Sequence, residues 1–397
     1  MKKTLVALAA LASVSVFAQT TVVIDGFIDR GYLALNSTAD ASDLKTIGSN
    51  SGTTTVGIKV NQDLGGGLTA GLSVNTDWSE LAGATQGGAV ANAGTSGFAN
   101  SQSFMHITSK DFGVLRLGAP NLMTLTNATA ISSPAFSTGV GSQYSSIYSI
   151  TSGLGHGASG RGSTVDTSVY ANGTTAITAG TANHTTSRAV RQANTVQYSS
   201  PTMGGVSVTL SYSQMNNNVT ASSGMANTAG MTETALRYTN GPIDAMYTTV
   251  KISIGSNGIN NYQQGTASAV TMLSDANAQQ TSTYNLLGAN YQVMPNLKLN
   301  VGSGTFNSSL GVANGSHKNY GGTFNMGQFD FMLLMSATND TTTTNIDRKM
   351  TGMGLNYNLS KTARAYIRTD NANYYSNGAA VAGSSVKRTA LGFSKSF

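Results

Sequence analysis

The sequence predicts an all-β protein that spans a membrane as a closed antiparallel barrel of about sixteen strands. Three observations lead to this prediction. The first residues have the pattern expected of an apolar export signal. No later stretch is apolar for the length of a membrane-spanning helix, and the remainder alternates apolar and polar residues in segments separated by turn residues. Without apolar helices, only a closed barrel can pair every backbone N–H and C=O inside lipid.

The first residues have the pattern of a secretory signal peptide. Lys2 and Lys3 give a positive start, residues 5–16 are apolar, and small residues precede a predicted cut between Ala18 and Gln19. The apolar stretch is too short to anchor the chain in a bilayer. We therefore predict that residues 1–18 are removed and that residues 19–397 form one domain.

The composition argues against several other classes of protein. The chain has no cysteine, which rules out disulfides and thiolate metal sites. No histidine and carboxylate cluster has metal-ligand spacing, and no glycine-rich stretch joins a strand to a helix, so we expect neither metal nor cofactor. Basic residues are scattered among strands, so we do not expect nucleic-acid binding.

The predicted strands form pairs joined by short turns, and long polar stretches separate the pairs. Gly, Pro, Asn and Asp occupy the turns, as in Asn240-Gly241. Long polar stretches such as 36–55, 216–231 and 371–386 are predicted as loops. Short turns on one side and long loops on the other are typical of bacterial outer-membrane barrels. The predicted strands are 22–35, 53–61, 67–78, 100–109, 112–119, 192–200, 205–214, 231–239, 242–254, 283–292, 297–306, 318–326, 328–336, 350–358, 362–371 and 386–397.

Alternation within the strands separates a lipid-facing side from a water-facing side. Leu287, Ala289 and Tyr291 share one parity, and Leu299 and Val301 share the corresponding parity in the next strand. Successive strand residues point to opposite faces. We therefore predict that these apolar positions face hydrocarbon and that their neighbours face a lumen.

Most basic residues in the strands have the inward parity. Arg116, for example, lies between Leu115 and Leu117. A cation at mid-bilayer on the lipid face would cost about 2–4 kcal/mol, which favours the lumen. Cations along a narrow aqueous tube attract anions. The predicted inward set is Arg116, Arg191, Arg237, Lys298, Arg364, Arg368 and Arg388.

Arg30 is the exception to this parity. It has the outer parity, because Asp25 and Asp29 take the inward one. A position near the lipid headgroups, at a bulge or at a subunit contact would each explain it.

Several segments in order resemble general porins of beta-proteobacteria, the type found in Neisseria, Bordetella and Burkholderia. The resemblance covers essentially the whole mature chain. The matching segments are VVIDGFID from Val22, DFGVLRLG from Asp111, RQANTVQY from Arg191, RYTNGP from Arg237, LNYNLSKT from Leu355 and the closing LGFSKSF that ends at Phe397.

The resemblance implies a homotrimer of sixteen-stranded barrels in the outer membrane, surrounded by lipid and lipopolysaccharide. It implies passive diffusion of small hydrophilic solutes and ions, and a third loop, here 119–189, folded into the lumen. Phe397 is similar to the signal by which the barrel-assembly machinery recognises its clients. Where the family continues Leu-Gly-Arg, this chain has Ala119, and residues 120–165 contain no Asp or Glu. With Arg161 and His156 in the loop, we expect only a weak anion preference.

Three alternatives stay open at this stage. A substrate-specific outer-membrane channel and a barrel that serves display or adhesion both fit the long Ser/Thr/Gly-rich loops. An outer-membrane enzyme needs a nucleophile beside a histidine. His106 falls in a predicted strand, whereas His156, His184 and His317 fall in predicted loops, and we expect all of them to be wall or solvated histidines. We predict no catalytic residue.

Overall fold

A computed structural model gives the structure of the chain. It describes residues 20–37, 44–77, 98–99, 101–136, 138–142, 191, 194–213, 230–254, 280–308, 314–341, 346–376 and 379–397. The predicted signal peptide, with its cut between Ala18 and Gln19, lies outside the described residues, as does Arg161.

Seventeen strands form one antiparallel sheet in which neighbours follow chain order. The last strand pairs with the first, so the sheet closes on itself. The strands are β1 (Thr20–Ser37), β2 (Leu44–Gly48), β3 (Thr55–Gly65), β4 (Leu68–Asp77), β5 (Ser103–Ser109), β6 (Gly113–Ala119), β7 (Thr195–Ser199), β8 (Val206–Ser213), β9 (Gly230–Asn240), β10 (Ile243–Ile254), β11 (Gln280–Met294), β12 (Leu297–Ser308), β13 (Gly315–Met326), β14 (Phe329–Asp340), β15 (Ile346–Asn358), β16 (Ala363–Ser376) and β17 (Ala379–Ser396).

The barrel has sixteen strand positions, because β2 and β3 occupy a single one. Both pair with β1, β2 near the loop end and β3 near the turn end. Residues 49–54 interrupt this strand opposite residues 28–30 of β1. We call residues 49–54 the strand break. The prediction of a closed antiparallel barrel with sixteen strands is therefore confirmed.

The closing seam joins the two ends of the described chain. Gly26 and Phe397 exchange two backbone hydrogen bonds, each of 3.1 Å. The Phe397 side chain is half exposed on the outer surface. This pairing leaves no open sheet edge, which lipid would not tolerate.

The predicted parity holds in the strands. Leu287, Tyr291, Leu299 and Val301 are about half exposed, while Leu286, which precedes Leu287, is buried. The exposed positions form an apolar band, and near the short turns it carries aromatic contacts such as Phe329 with Tyr357, 5.1 Å between ring centroids. Such a band with aromatic girdles suits a hydrocarbon environment. We call the band side the outer face and the other side the inner face.

Two predicted loops are partly wrong. The stretch 36–55 contains β2, and the stretch 371–386 consists largely of the paired ends of β16 and β17. At these levels apolar and polar residues do not alternate regularly, so the pattern no longer marks the strand. His317, predicted in a loop, lies in β13 for the same reason.

The segment after β6 contains the described helical turns. A short helix, α1 (Met123–Thr126), continues into a π-helical turn (Asn127–Ile131), and a 3-10 turn (Pro134–Phe136) follows. No described helix is long and apolar enough to cross a membrane. The buried apolar side chains lie where this segment meets the inner face.

Single-cysteine labelling tests the two faces, and the natural chain offers a clean background without cysteine. We expect Leu299→Cys to react with a bilayer-soluble maleimide and its neighbour Lys298→Cys to react with a water-soluble methanethiosulfonate. The reason is the alternation of adjacent side chains between hydrocarbon and water. Exchange of the two labelling patterns would contradict the assignment of inner and outer faces.

Candidate functional site

Six of the predicted cations lie in strands on the inner face: Arg116, Arg237, Lys298, Arg364, Arg368 and Arg388. Arg191 lies outside the strands and its Nε donates to Asn121 Oδ1 at 3.1 Å. Asn121 belongs to the segment that follows β6, so Arg191 ties the two described ends of the long third loop together.

Two of the arginines form ion pairs with aspartates of the same face. Arg237 donates to both carboxylate oxygens of Asp244, at 2.9 and 2.8 Å. Arg388 donates to both oxygens of Asp370, at 2.9 and 2.5 Å. Because each cation is compensated by an anion within contact distance, these pairs add little to the net field of the lumen.

Two other arginines have neutral hydrogen-bond partners. Arg116 Nη1 donates to Gln197 Oε1 at 3.1 Å and to Ser199 Oγ at 3.0 Å. Arg364 Nε donates to Ser394 Oγ at 3.1 Å. Since these bonds orient the guanidinium groups without neutralising them, Arg116 and Arg364 keep their positive charge on the inner face.

A long segment covers part of the inner face. Residues 120–136 and 138–142, which we call the loop 3 segment, follow β6. Their first helical turn contacts a buried carboxylate, Glu233 of β9. Glu233 accepts from Met123 N at 3.0 Å, from Thr124 N at 2.7 Å and from Thr124 Oγ1 at 2.8 Å. Ser211 Oγ donates a further bond of 3.0 Å. Glu233 thus satisfies free N–H groups at the first helical turn.

Asparagines of the segment and of the wall hold the middle of the loop 3 segment. Asn127 Nδ2 donates to two strand carbonyls at 2.8 and 3.0 Å. Ser132 O accepts from Asn300 Nδ2 at 2.7 Å and from Asn319 Nδ2 at 2.6 Å. The segment approaches so closely that a Cβ at Gly302 would lie 2.7 Å from Ser132 Cβ. The glycine therefore makes room for the segment.

The far part of the segment packs through Phe136. This fully buried ring clusters with Met332, Leu334 and Met350 of the inner face. The Arg368 guanidinium carbon lies 5.4 Å from the ring centroid, a cation–π distance. Deleting a buried aromatic ring of this kind typically costs about 3–5 kcal/mol, so this contact contributes strongly to holding the segment.

The strand break is anchored by Asp29. One carboxylate oxygen of this fully buried side chain accepts from Ser51 N at 2.5 Å and from Gly52 N at 3.1 Å. The other accepts from Tyr366 Oη at 2.7 Å. Hydrogen bonds to a carboxylate are roughly twice as strong as neutral ones, so Asp29 holds the break against the inner face.

Arg30 lies beside the same break on the outer side. Its Nη1 donates to Asp29 O at 2.7 Å and to Thr54 Oγ1 at 3.1 Å. Among the three explanations for its outer parity, this position favours the bulge.

The loop 3 segment and the strand break contact each other. Val140 N donates to Asn50 O at 2.8 Å. Arg368 Nη1 lies between the two and donates to Ser51 O at 3.1 Å and to Thr138 O at 3.4 Å. Arg368 is only 2% exposed. It therefore joins the two segments and does not line an open surface.

Asp370 adds a contact one position along the same strand face. It accepts from Gly141 N at 2.7 Å while it pairs with Arg388. The described loop 3 segment thus crosses the inner face from Glu233 of β9 to Asp370 of β16. Together with the strand break it covers a continuous arc of the wall.

Comparisons with known proteins support one assignment. The sequence matches the family of Gram-negative porins over residues 4–378. The chain belongs to the Gram-negative porin family. It is accordingly an outer-membrane β-barrel. No curated protein sequence matches it significantly.

Solved structures share the fold of this porin. The anion-selective porin from Comamonas acidovorans aligns with a TM-score of 0.67 and 19% identity over 96% of this chain and 100% of that chain. The trimer form of OmpT from Vibrio cholerae aligns with a TM-score of 0.60 and 14% identity, covering 95% and 99%. The outer-membrane channel DcaP of Acinetobacter baumannii gives 0.56 and 13%, covering 95% and 97%.

Sequence reasoning missed the two carboxylates that position the covering segments. Asp29 was recognised only by its inward parity, and Glu233 carried no signal, because a single acidic residue in a strand does not reveal its partners. The strand break was included in a predicted loop. The sequence NSG at residues 50–52 offers short polar residues for a turn, but their contact with β16 is long-range.

Neutralising Asp29 should loosen the strand break. We expect Asp29→Asn to replace charge-assisted hydrogen bonds by neutral ones at a cost of about 1–2 kcal/mol. The porin should then show larger or more flickering single-channel conductance in planar bilayers. Asp25→Asn is the matched control, because Asp25 lies on the same face of β1 but pairs with Lys59. Equal conductance traces for both variants would exclude a positioning role for Asp29.

Proposed function

We propose that this porin forms a water-filled channel for passive diffusion of small hydrophilic solutes and ions, with a weak preference for anions. The observation that carries the proposal is the inner face, where Arg116 and Arg364 bond to neutral partners while Arg237 and Arg388 are paired with carboxylates. A small excess of unpaired positive charge along an aqueous tube favours anions modestly. The structural similarity to a porin described as anion-selective supports a preference for anions over cations.

We further propose that the loop 3 segment and the strand break narrow the lumen. Their anchors support this, since Glu233, Ser132, Phe136 and Asp29 each connect the covering backbone to the wall. A narrow channel forces solutes close to the wall charges, where the potential is strongest. The predicted contribution of Arg161 lies outside the described residues.

The proposal assigns no catalytic role. His106 Nε2 is 3.0 Å from Asn61 Oδ1, and His317 stacks on Tyr284 with 6.1 Å between ring centroids. Neither described histidine is engaged with a hydroxyl nucleophile in these contacts. Within the described part of the chain, no group of three His, Cys, Asp or Glu residues could hold a metal ion.

Measurements of ion selectivity test the role of Arg116 and Arg364, two arginines whose hydrogen-bond partners are uncharged. We expect the double variant Arg116→Gln and Arg364→Gln to lower the chloride-to-potassium permeability ratio about twofold, since both charges act on the lumen potential. Reversal potentials across planar bilayers in a KCl gradient measure this ratio.

The matched control removes a compensated pair, Arg237→Gln with Asp244→Asn, and should leave the permeability ratio unchanged. Cation selectivity in the unmodified porin would overturn the proposed anion preference. A folded protein without conductance would favour the display alternative.

We propose that the porin works as a homotrimer, supported by the trimer form of the similar V. cholerae structure. Native mass spectrometry of detergent-purified porin should give three subunits per particle. A monomeric particle with normal conductance would contradict this assignment. Recognition of Phe397 by the barrel-assembly machinery stays a prediction.

A further inference from the structure

Arg116 of β6 has one edge of its guanidinium group unoccupied. Its Nη1 donates to Gln197 Oε1 at 3.1 Å and to Ser199 Oγ at 3.0 Å. Its Nε and Nη2 have no hydrogen-bond partner among the described residues. These two atoms lie in one plane, and their spacing matches the two oxygens of a carboxylate. The side chain is partly exposed on the inner face, so a solute can approach this edge.

Two other arginines of the inner face show what this edge binds. Arg237 Nε and Nη2 donate to the two carboxylate oxygens of Asp244, at 2.9 and 2.8 Å. Arg388 holds Asp370 through the same two atoms, at 2.9 and 2.5 Å. In both pairs the protein supplies the carboxylate. At Arg116 the same edge is left for a carboxylate that comes from outside the chain.

The remaining arginines of the lumen side do not offer this edge. Arg364 and Arg191 each use Nε in a hydrogen bond to a neutral side chain. Arg368 and Arg348 are only 2% and 4% exposed, so a solute cannot reach them. Among the described arginines of the lumen side, Arg116 is therefore the one that combines a free donor edge with exposure.

Gln197 of β7 fixes the orientation of Arg116. This side chain is 2% exposed, and its Nε2 donates to Ser211 Oγ at 3.1 Å and to Asn121 O at 3.2 Å. Ser211 Oγ in turn donates to Glu233. Because these bonds hold Gln197 in place, the guanidinium group is oriented before a solute arrives. Such preorganisation lowers the entropic cost of binding.

An aromatic ring lies beside Arg116 on the same wall. Phe104 of β5 is partly exposed, and its ring centroid is 6.0 Å from the Arg116 guanidinium carbon. His106 lies two positions further along β5 and contacts this ring, with 6.1 Å between the ring centroids. The Nε2 atom of His106 is 3.0 Å from Asn61 Oδ1. These contacts hold the Phe104 ring next to the guanidinium group.

Phe104 is unusual in its position. In the sheet register it pairs with Ser73 of β4 and with Gly118 of β6, both of them small, so the ring stands above its neighbours. The other inward positions of β3–β7 are polar residues or glycine, except Val114. An apolar ring that faces water is stabilised when another apolar group covers it. The ring therefore suits the apolar body of a solute.

The wall around Arg116 lies outside the arc that the described loop 3 segment covers, which runs from Glu233 of β9 to Asp370 of β16. On this wall Asp25 forms an ion pair with Lys59 and so does not compensate Arg116. A solute with a carboxylate at one end can therefore meet an uncompensated cation here.

We propose that Arg116 and Phe104 form a binding subsite for small carboxylates that carry an apolar body, with phenylacetate as the type. Nε and Nη2 of Arg116 hold the carboxylate, and the body packs on the Phe104 ring. The inference rests on the proposed function, because a diffusion channel must bring such solutes past this wall. It deepens that function by naming a class of solute that the pore retains.

Fluorine NMR of the full-length porin in detergent tests the subsite. The probe is para-fluorophenylacetate, and its line broadening is compared with that in protein-free micelles. Phenylacetate and acetate serve as competitors. We expect phenylacetate to displace the probe about fivefold more effectively than acetate, since the two share the carboxylate and differ in the ring. Equal potency of the two competitors would overturn the proposal.

Two variants separate the two contacts. Phe104→Ala should abolish the fivefold difference between phenylacetate and acetate. Arg116→Lys keeps the charge but loses the paired donors, so it should weaken the binding of both carboxylates about tenfold. The matched control is Arg364→Lys, because Nε of Arg364 is already engaged, and it should leave the affinity for the probe unchanged. An equal loss in Arg364→Lys, or unchanged affinity in Arg116→Lys, would contradict the assignment.

Conductance in planar bilayers separates this inference from the proposed function, because the NMR measurement does not depend on ion flow. Preferential phenylacetate binding by a porin that does not conduct would reject the channel and keep the subsite. Normal, anion-preferring conductance with equally weak binding of phenylacetate and acetate would reject the subsite alone.

Discussion

The structure depends on the closed ring of interstrand hydrogen bonds. In lipid an unpaired backbone amide or carbonyl has no solvent to bind, so the sheet must pair its last strand with its first. The mutual bonds between Gly26 and Phe397 belong to this seam. Once the ring is closed, strand alternation creates two faces, one against hydrocarbon and one enclosing the lumen. The division of apolar and charged residues follows from this closure.

The inner face illustrates how hydrogen bonds from wall side chains hold covering segments against the barrel. The loop 3 segment has backbone groups that the sheet does not pair, and wall side chains such as Glu233 and Asn319 bind them. The strand break is held in the same way by Asp29. Arg368 joins the two segments and is buried by them. A residue that inward parity places in the lumen can thus serve to position backbone instead of facing solutes.

The types of residue on the outer face change along the strands. Aromatic and aliphatic side chains dominate the middle and the turn side of β13–β15, whereas lysines appear near the loop ends. Gly322 and Ala337 are the smallest residues at the outward positions of β13 and β14.

The sequence by itself determined the fold class. It also determined where most strands end at the short turns and which face of the sheet residues such as Arg116 occupy. These features follow from apolar alternation and turn residues, which are local signals. The sequence missed β2 and the upper parts of β16 and β17, where apolar and polar residues do not alternate regularly and the pattern carries no information. Only the tertiary structure decided which arginines are compensated, since the pairs Arg237–Asp244 and Arg388–Asp370 depend on strand register. The anchoring by Asp29 and Glu233 was likewise a tertiary result, because their partners lie 22 and 109 or more residues away in the chain.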